Sequence, residues 1–344
     1  MDVPALLQSG LGLQKAGRLD EAERQYRAAL AAAPDHPDVL QCLGFLLRAR
    51  GDNAGALAQF ERAIGHAPAA APLHVARAEA LRRLGRLHEA AAVARHALAI
   101  DPNVHGAHIV LSHALMPGPG YQAVLERLHR VLRPAAYVEI GVATGASFRL
   151  AQPPTLALGI DPEPCINVAL TEAHRVFEET SDVFFANRDV PAELGGRTID
   201  LAFIDGLHTF DQALRDFLNV ERHARPDTVV VFHDWLPLDA RTAARTRATA
   251  FWTGDTWKLV PLLRRHRPDL SVAVIPTAPS GLGLVTRLDP GSTALDGDRF
   301  AAAVAEFMEL SPADRPAGIE PPALLPNDWA AIERHLSAAR PLPS

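Results

Sequence analysis

Apolar positions along this chain follow two different periods, and the change falls at the breaker cluster Pro117-Gly118-Pro119-Gly120. Before it the spacing is helical and repeats. Gly17, Gly51 and Gly85 form one series, Ala22, Ala56 and Ala90 a second, Ala29, Ala63 and Ala97 a third, and Pro34, Pro68 and Pro102 a fourth, each stepping by 34 residues. Gly permits the tight turn between two antiparallel helices, the two Ala positions let helices cross closely, and Pro stops the second helix. Three repeats are predicted, at 3–36, 37–70 and 71–104, with a capping helix over Asn103 to Leu115, in a region spanning 1–116. After the breaker, Val124, Leu125, Leu128, Val131 and Leu132 predict a helix over Tyr121 to Leu132.

The period then changes. Apolar runs at Tyr137 to Ile140, Leu156 to Ile160, Arg175 to Glu178, Leu201 to Ile204 and Val229 to Phe232 alternate with helical stretches, which indicates a parallel sheet covered on both faces. The runs Ser271 to Ile275 and Leu282 to Val285 are joined by a segment too short for a crossover helix, so they should pair antiparallel. The 34-residue step is the tetratricopeptide period. The later pattern resembles the seven-stranded, doubly wound class I methyltransferase fold, an α/β sheet ending in an antiparallel hairpin. The expected organisation is an all-α tetratricopeptide-repeat solenoid, a methyltransferase domain over 121–290, and a helical extension over 291–344. That extension has helices at Arg299 to Leu310 and Asp328 to Ala338, joined by a Pro-rich connector from Pro312 to Pro326.

Composition narrows the function. Hydrophobic residues make up 48% and charged residues 22%, the balance of a folded globular chain. A net charge of -6 lacks the basic footprint of a nucleic-acid binder. Two cysteines, Cys42 and Cys165, give neither a disulfide framework nor a structural zinc site, so a reducing compartment is expected. No apolar run approaches a bilayer span and the N-terminus has no signal-peptide pattern, so the expectation is a cytoplasmic protein without a membrane partner. His105, His108 and His113 read as one partly exposed face of the capping helix rather than a metal site.

The candidate chemistry lies at the strand ends. In Val138-Glu139-Ile140-Gly141-Val142-Ala143-Thr144-Gly145-Ala146-Ser147 a strand enters a Gly-bearing turn and then a helix, setting backbone N–H groups and small side chains beside a ligand. Asp161, ending the next strand about 20 residues on, is placed to accept both hydroxyls of a ribose. The glycine spacing departs from G-x-G-x-x-G, with Ala143 between Gly141 and Gly145. The methyltransferase resemblance implies S-adenosyl-L-methionine as the ligand, with Glu139 facing its methionine end and Gly141, Thr144, Gly145 and Ser147 around it. Ser181 and Asp182 stand where that fold contacts adenine, and they serve equally as a helix N-cap.

Most specific is Asp205-Gly206-Leu207-His208 with His233-Asp234 after the following strand. Over roughly Tyr121 to Pro290 the chain resembles metal-dependent sugar O-methyltransferases of the macrolide-modifying kind. The resemblance implies a divalent metal, Mg2+ or another, held by Asp205, His233 and Asp234, a small-molecule or glycan acceptor, and His208 as the base taking the hydroxyl proton. Asp205 also belongs to the cofactor site. Those enzymes have Glu-Asp where this chain has His233-Asp234, and His favours transition metals over Mg2+. Without a metal, Asp234 would cap a following helix and His233 would be a hydrogen-bonded pocket residue.

From Arg241 to Arg267 an insertion carries Trp257, whose spacing with Leu259, Leu262 and Leu263 marks a core residue. Trp252 fits either the core or a lid over the acceptor. The repeats offer a surface for a protein or peptide partner, or else form an appendage that makes a homo-oligomer or packs on the next domain. The leading expectation is an O-methyltransferase. The alternative is a non-catalytic repeat-based interaction module with a vestigial methyltransferase fold, which the intact set Glu139, Gly141, Gly145, Asp161, Asp205, His208 and Asp234 opposes.

Overall fold

A computed structural model describes residues 2–312 and 324–339, and the chain divides into two compact units between Leu115 and Met116. Most of the Pro312 to Pro326 connector lies outside the described residues.

The first unit is a stack of helical hairpins: α1 (Val3–Lys15) with α2 (Leu19–Ala32), α3 (Pro37–Ala49) with α4 (Asn53–His66), and α5 (Ala71–Arg83) with α6 (Leu87–Ile100), closed by α7 (Ala107–Leu115). The turn glycines Gly17, Gly51 and Gly85 have φ of 75°, 85° and 75°, which is why each repeat needs Gly there. All six repeating alanines are fully buried at the helix crossings. A further periodic pair escapes inspection by residue class. A Cβ on Gly10 or Gly44 would sit 2.4 Å from the Tyr26 ring or 2.6 Å from the Phe60 ring. In the third repeat the same two positions hold Ala78 and Ala94, both buried, so a smaller partner replaces the ring where a methyl replaces the hydrogen. On α7, which packs on α5 and α6, His108 is buried rather than part of an exposed face.

The second unit opens with α8 (Tyr121–Leu132) and builds a seven-stranded sheet from β1 (Ala136–Ile140), β2 (Leu156–Ile160), β3 (His174–Phe177), β4 (Ile199–Ile204), β5 (Ala224–His233), β6 (Ser271–Ile275) and β7 (Leu282–Thr286). The order is β3-β2-β1-β4-β5-β7-β6; β1 to β5 run parallel, while β7 is antiparallel to both β5 and β6. The continuous apolar runs follow from burial on both faces. Val138, Ile140, Leu158, Ile160, Ala202, Ile204, Val230 and Phe232 point into one core with α11 (Phe210–Glu221), α12 (Leu259–His266) and α13 (Asp298–Met308). Tyr137, Ala157, Leu201, Phe203, Val229 and Val231 point into the other with α8 and α14 (Trp329–Ala339). Between β3 and β4 lie α9 (Ser181–Asn187) and the short α10 (Val190–Glu193).

β5 is longer than its apolar run. Arg225, Pro226 and Asp227 interrupt the hydrophobic signal, yet the strand begins at Ala224, with a register shift opposite Ile199 to Leu201 where the Thr228 hydroxyl donates to the Ile199 carbonyl. Trp257 is fully buried in the core. Among the described residues no helix is long and apolar enough to cross a membrane.

Candidate active site

The carboxyl ends of β1 to β5 meet at a cavity of about 750 Å³, lined among others by Gly141, Asp161, Ser181, Asp205, His208 and Asp234. After β1 the backbone turns at Gly141, φ 86°, where a Cβ would lie 2.1 Å from the Asp205 carbonyl oxygen. Two strand ends touch through their main chains here, so no larger residue fits. The turn continues through Ala143 at φ 46° and Gly145 at φ 80°. Asp161 secures it: Oδ2 accepts from Ala143 N at 2.7 Å and Oδ1 from Glu163 N at 2.8 Å, and each oxygen keeps a further acceptor direction.

The helix expected after this turn is absent; the chain makes only the 3-10 turn Phe148–Leu150 before β2. Phe148 is drawn into the core against Tyr137 and Gly159, and Pro153 and Pro154 supply no N–H donors for a helix to continue. A helix N-terminus, the usual attraction for a pyrophosphate, is therefore missing from this turn.

Glu139 is fully buried, its carboxyl accepting from Tyr137 OH at 2.5 Å and Ser147 Oγ at 2.6 Å. Burial pushes it up to about 8 against the pull of those two hydroxyls. Of the cofactor residues expected from the sequence, Gly141, Asp161, Ser181, Asp182 and Asp205 line the cavity, while Glu139, Thr144, Gly145 and Ser147 stand outside its lining. Ser181 and Asp182 are not an N-cap; they form the first turn of α9, whose cap is Thr180.

At the ends of β4 and β5 two carboxylates meet two imidazoles. His208 Nδ1 lies 2.6 Å from Asp234 Oδ2, and His233 Nδ1 lies 3.3 Å from Asp205 Oδ1 and 3.2 Å from Asp234 Oδ1. His233 Nε2 faces Ser280 Oγ at 3.3 Å, and its ring packs on Tyr121. Burial would lower both histidines, yet Asp234 raises His208, and Asp205 with Asp234 raises His233 well above the ordinary range. Burial would likewise raise Asp234, but His233 and His208 hold it well below the carboxylate range. Asp234 adopts φ 64°, an uncommon conformation for a residue other than glycine, and no helix follows it to be capped.

The insertion after β5 fastens this cluster in a way nothing in the sequence marked. Gly254, φ 64°, runs so close to His208 that a Cβ would fall 1.6 Å from its carbonyl oxygen. Asp255 N donates to that oxygen at 3.2 Å, the Asp255 carboxylate accepts from Phe210 N at 3.0 Å, and Thr256 Oγ1 donates to Asp234 O at 2.7 Å. Trp252 lies beside the site rather than in the core: its ring stacks on His208 with centroids 5.2 Å apart, and its Nε1 donates to Ala244 O at 2.6 Å.

Asp205, His208 and Asp234 each offer a ligand atom within 4.8 Å of the others. Two carboxylates and an imidazole suit a divalent cation of borderline softness. His233, expected as a ligand, already lies against both carboxylates as a positive group and is outside that set. A cavity of this volume, lined by a carboxylate after β2 and a glycine turn after β1, also fits a nucleoside.

Residues 138–235 match a family model described as a methyltransferase domain, and residues 3–46 and 43–105 match two tetratricopeptide-repeat models. The chain thus carries a methyltransferase domain preceded by tetratricopeptide repeats. No curated protein matches it. Among solved structures it is similar to MamA AMB-1, at 25% identity over 33% of this chain and 62% of that one, TM-score 0.31. It is also similar to MamA 41-end from Desulfovibrio magneticus RS-1, at 23% over 33% and 64%, TM-score 0.32. A third is the first tetratricopeptide domain of Spaghetti (RPAP3) bound to the HSP90 peptide SRMEEVD, at 22% over 33% and 89%, TM-score 0.32. The chain spans about 62% of the length of MamA AMB-1.

Proposed function

We propose, from the premise that residues 138–235 form a methyltransferase domain, that the protein transfers a methyl group from S-adenosyl-L-methionine to a hydroxyl on a small-molecule or sugar-containing acceptor. One observation carries this reading: His208, held 2.6 Å from Asp234 by its Nδ1, stands in the same cavity as Asp161 and the glycine turn. With Nδ1 turned to the carboxylate, Nε2 is the nitrogen left to take a proton from an acceptor hydroxyl. Asp234 orients the ring and stabilises the imidazolium that results, while Trp252 stacks on its face. Asp161 would hold the ribose.

S-adenosyl-L-methionine supplies the electrophilic methyl group. A divalent cation, if the acceptor requires one, would be held by Asp205 and Asp234 with an imidazole, and would lower the pKa of the hydroxyl. The repeats are assigned to a protein or peptide partner that delivers the acceptor. The enzyme is read as acting in the cytoplasm.

Calorimetry with S-adenosylhomocysteine, with and without Mg2+ or Mn2+, tests the reading on wild type and Asp205→Ala. Wild type should bind and the variant should lose roughly tenfold or more, the effect of removing one charged wall of the site. No binding under any condition would remove the methyl-donor assignment. Binding indifferent to metal would retain it and leave His208 and Asp234 to act alone.

A further inference from the structure

Asp216, on α11, is a carboxyl group that the proposed chemistry does not use. It is 1% exposed and yet lines the cavity. Its Oδ1 accepts two hydrogen bonds, from Ser181 Oγ at 2.6 Å and from Gln212 Nε2 at 3.0 Å. Oδ2 receives none from the described residues and lies on the side of Gly206, where a Cβ would approach it to 3.8 Å. A buried carboxylate with one oxygen saturated and the other open to a cavity is free to accept a donor from a ligand.

The order of the strand ends says which part of a nucleoside arrives there. Walls come in the sequence Thr180 to Asp182 after β3, Asp161 after β2, Gly141 after β1, then Asp205, His208 and Asp234 after β4 and β5. A ribose on Asp161 whose reacting end reaches His208 must send its base the other way, toward Ser181 and the Asp216 carboxyl bonded to it. Asp182, the acid that the sequence placed at the base, is turned outward: its carboxylate pairs with Arg215 at 2.9 Å and Gln212 at 3.1 Å, and its side chain is 46% exposed.

We propose that Asp216 selects the base of the nucleoside donor, its Oδ2 accepting a hydrogen bond from an exocyclic amino group such as N6 of adenine. The inference rests on the nucleoside-donor reading of the cavity and adds the group that reads the base. Burial pushes the Asp216 carboxyl up to about 6, which leaves it ionised at neutral pH and able only to accept. An oxo substituent at the same position would put two acceptors face to face, and a buried, unsatisfied carboxylate oxygen is costly.

Calorimetry comparing S-adenosylhomocysteine with S-inosylhomocysteine, slightly above neutral pH, tests this. Wild type should prefer the amino form by about 30-fold, the worth of one hydrogen bond to a charged group. Asp216→Asn can present either an amide oxygen or an amide N–H, so its preference should fall to about threefold or less. Equal binding of the two ligands by wild type overturns the inference and leaves the donor reading standing, and this arm needs no variant to fold. An Asp216→Asn protein with an unchanged preference also overturns it. Failure of wild type to bind either ligand overturns the donor reading and this inference with it.

Discussion

The turn after β1 and the paired ends of β4 and β5 each bury a carboxyl group in one sheet, and the two are driven in opposite directions. Glu139 meets only hydroxyls, from Tyr137 and Ser147, and burial pushes it up to about 8. Asp234 meets two imidazoles, and they hold it well below the usual range although it is as deeply placed. Depth alone does not set ionisation; the charge of the partner decides it. The first region is a neutral scaffold under the turn, and the second is a charged cluster open to the cavity.

The largest expected effect breaks the charged half. Asp234→Asn keeps the shape but removes the group that orients His208, and kcat/KM should fall by about a thousandfold once an acceptor is in hand. A loss under tenfold would show that the cluster is not where the proton moves. Next comes the neutral half. Glu139 is protonated when folded up to about 8 and in the unfolded chain only up to 4.5, so the stability tied to it is fully present below pH 4.5 and is lost as pH rises through 8. Glu139→Gln has no proton to lose. Melting curves should therefore show wild type losing on the order of 4 kcal/mol more than the variant between pH 4.5 and 8. Parallel pH profiles would mean that Glu139 is ionised like Asp234 and would dissolve the contrast. Smallest is Ser147→Ala, which leaves Glu139 with one hydroxyl and should cost about 1 kcal/mol in urea titrations while Asp234-dependent turnover changes little.

Much of this was legible beforehand. The 34-residue series marked every repeat because each position answers a local demand, a turn or a close crossing, that one residue type meets. The sheet and its antiparallel end could be read because burial on both faces leaves unbroken apolar runs. Three things were not legible. The start of β5 is hidden because Arg225-Pro226-Asp227 is a polar entry to the strand, where Thr228 Oγ1 accepts from Arg225 N and Asp200 accepts from the Arg225 guanidinium. The helix expected after Gly145 is lost chiefly to the burial of Phe148, a tertiary preference; Pro153-Pro154 only limits how far such a helix could run. Asp255 and Asp216 sit on helices or turns where an acid is ordinarily a solvated residue, and only the fold shows that one fixes the His208 segment and the other faces the cavity.

The Gly-to-ring contacts of the repeat unit bear on how such an array can be altered. Gly10 accepts Tyr26 and Gly44 accepts Phe60, whereas the equivalent positions of the third repeat hold the buried Ala78 and Ala94. Transplanting α5 in front of α4 would drive a methyl into the Phe60 ring, and setting α3 against α6 would leave a hole where the ring had been. Whole hairpins therefore keep this contact when shuffled or duplicated, whereas a single helix keeps it only when exchanged between the two repeats that share the Gly-to-ring pair. At this contact recombination between the second and third repeats is penalised inside a hairpin and spared at its borders, which makes the hairpin the natural piece of this region for lineages or engineers to trade.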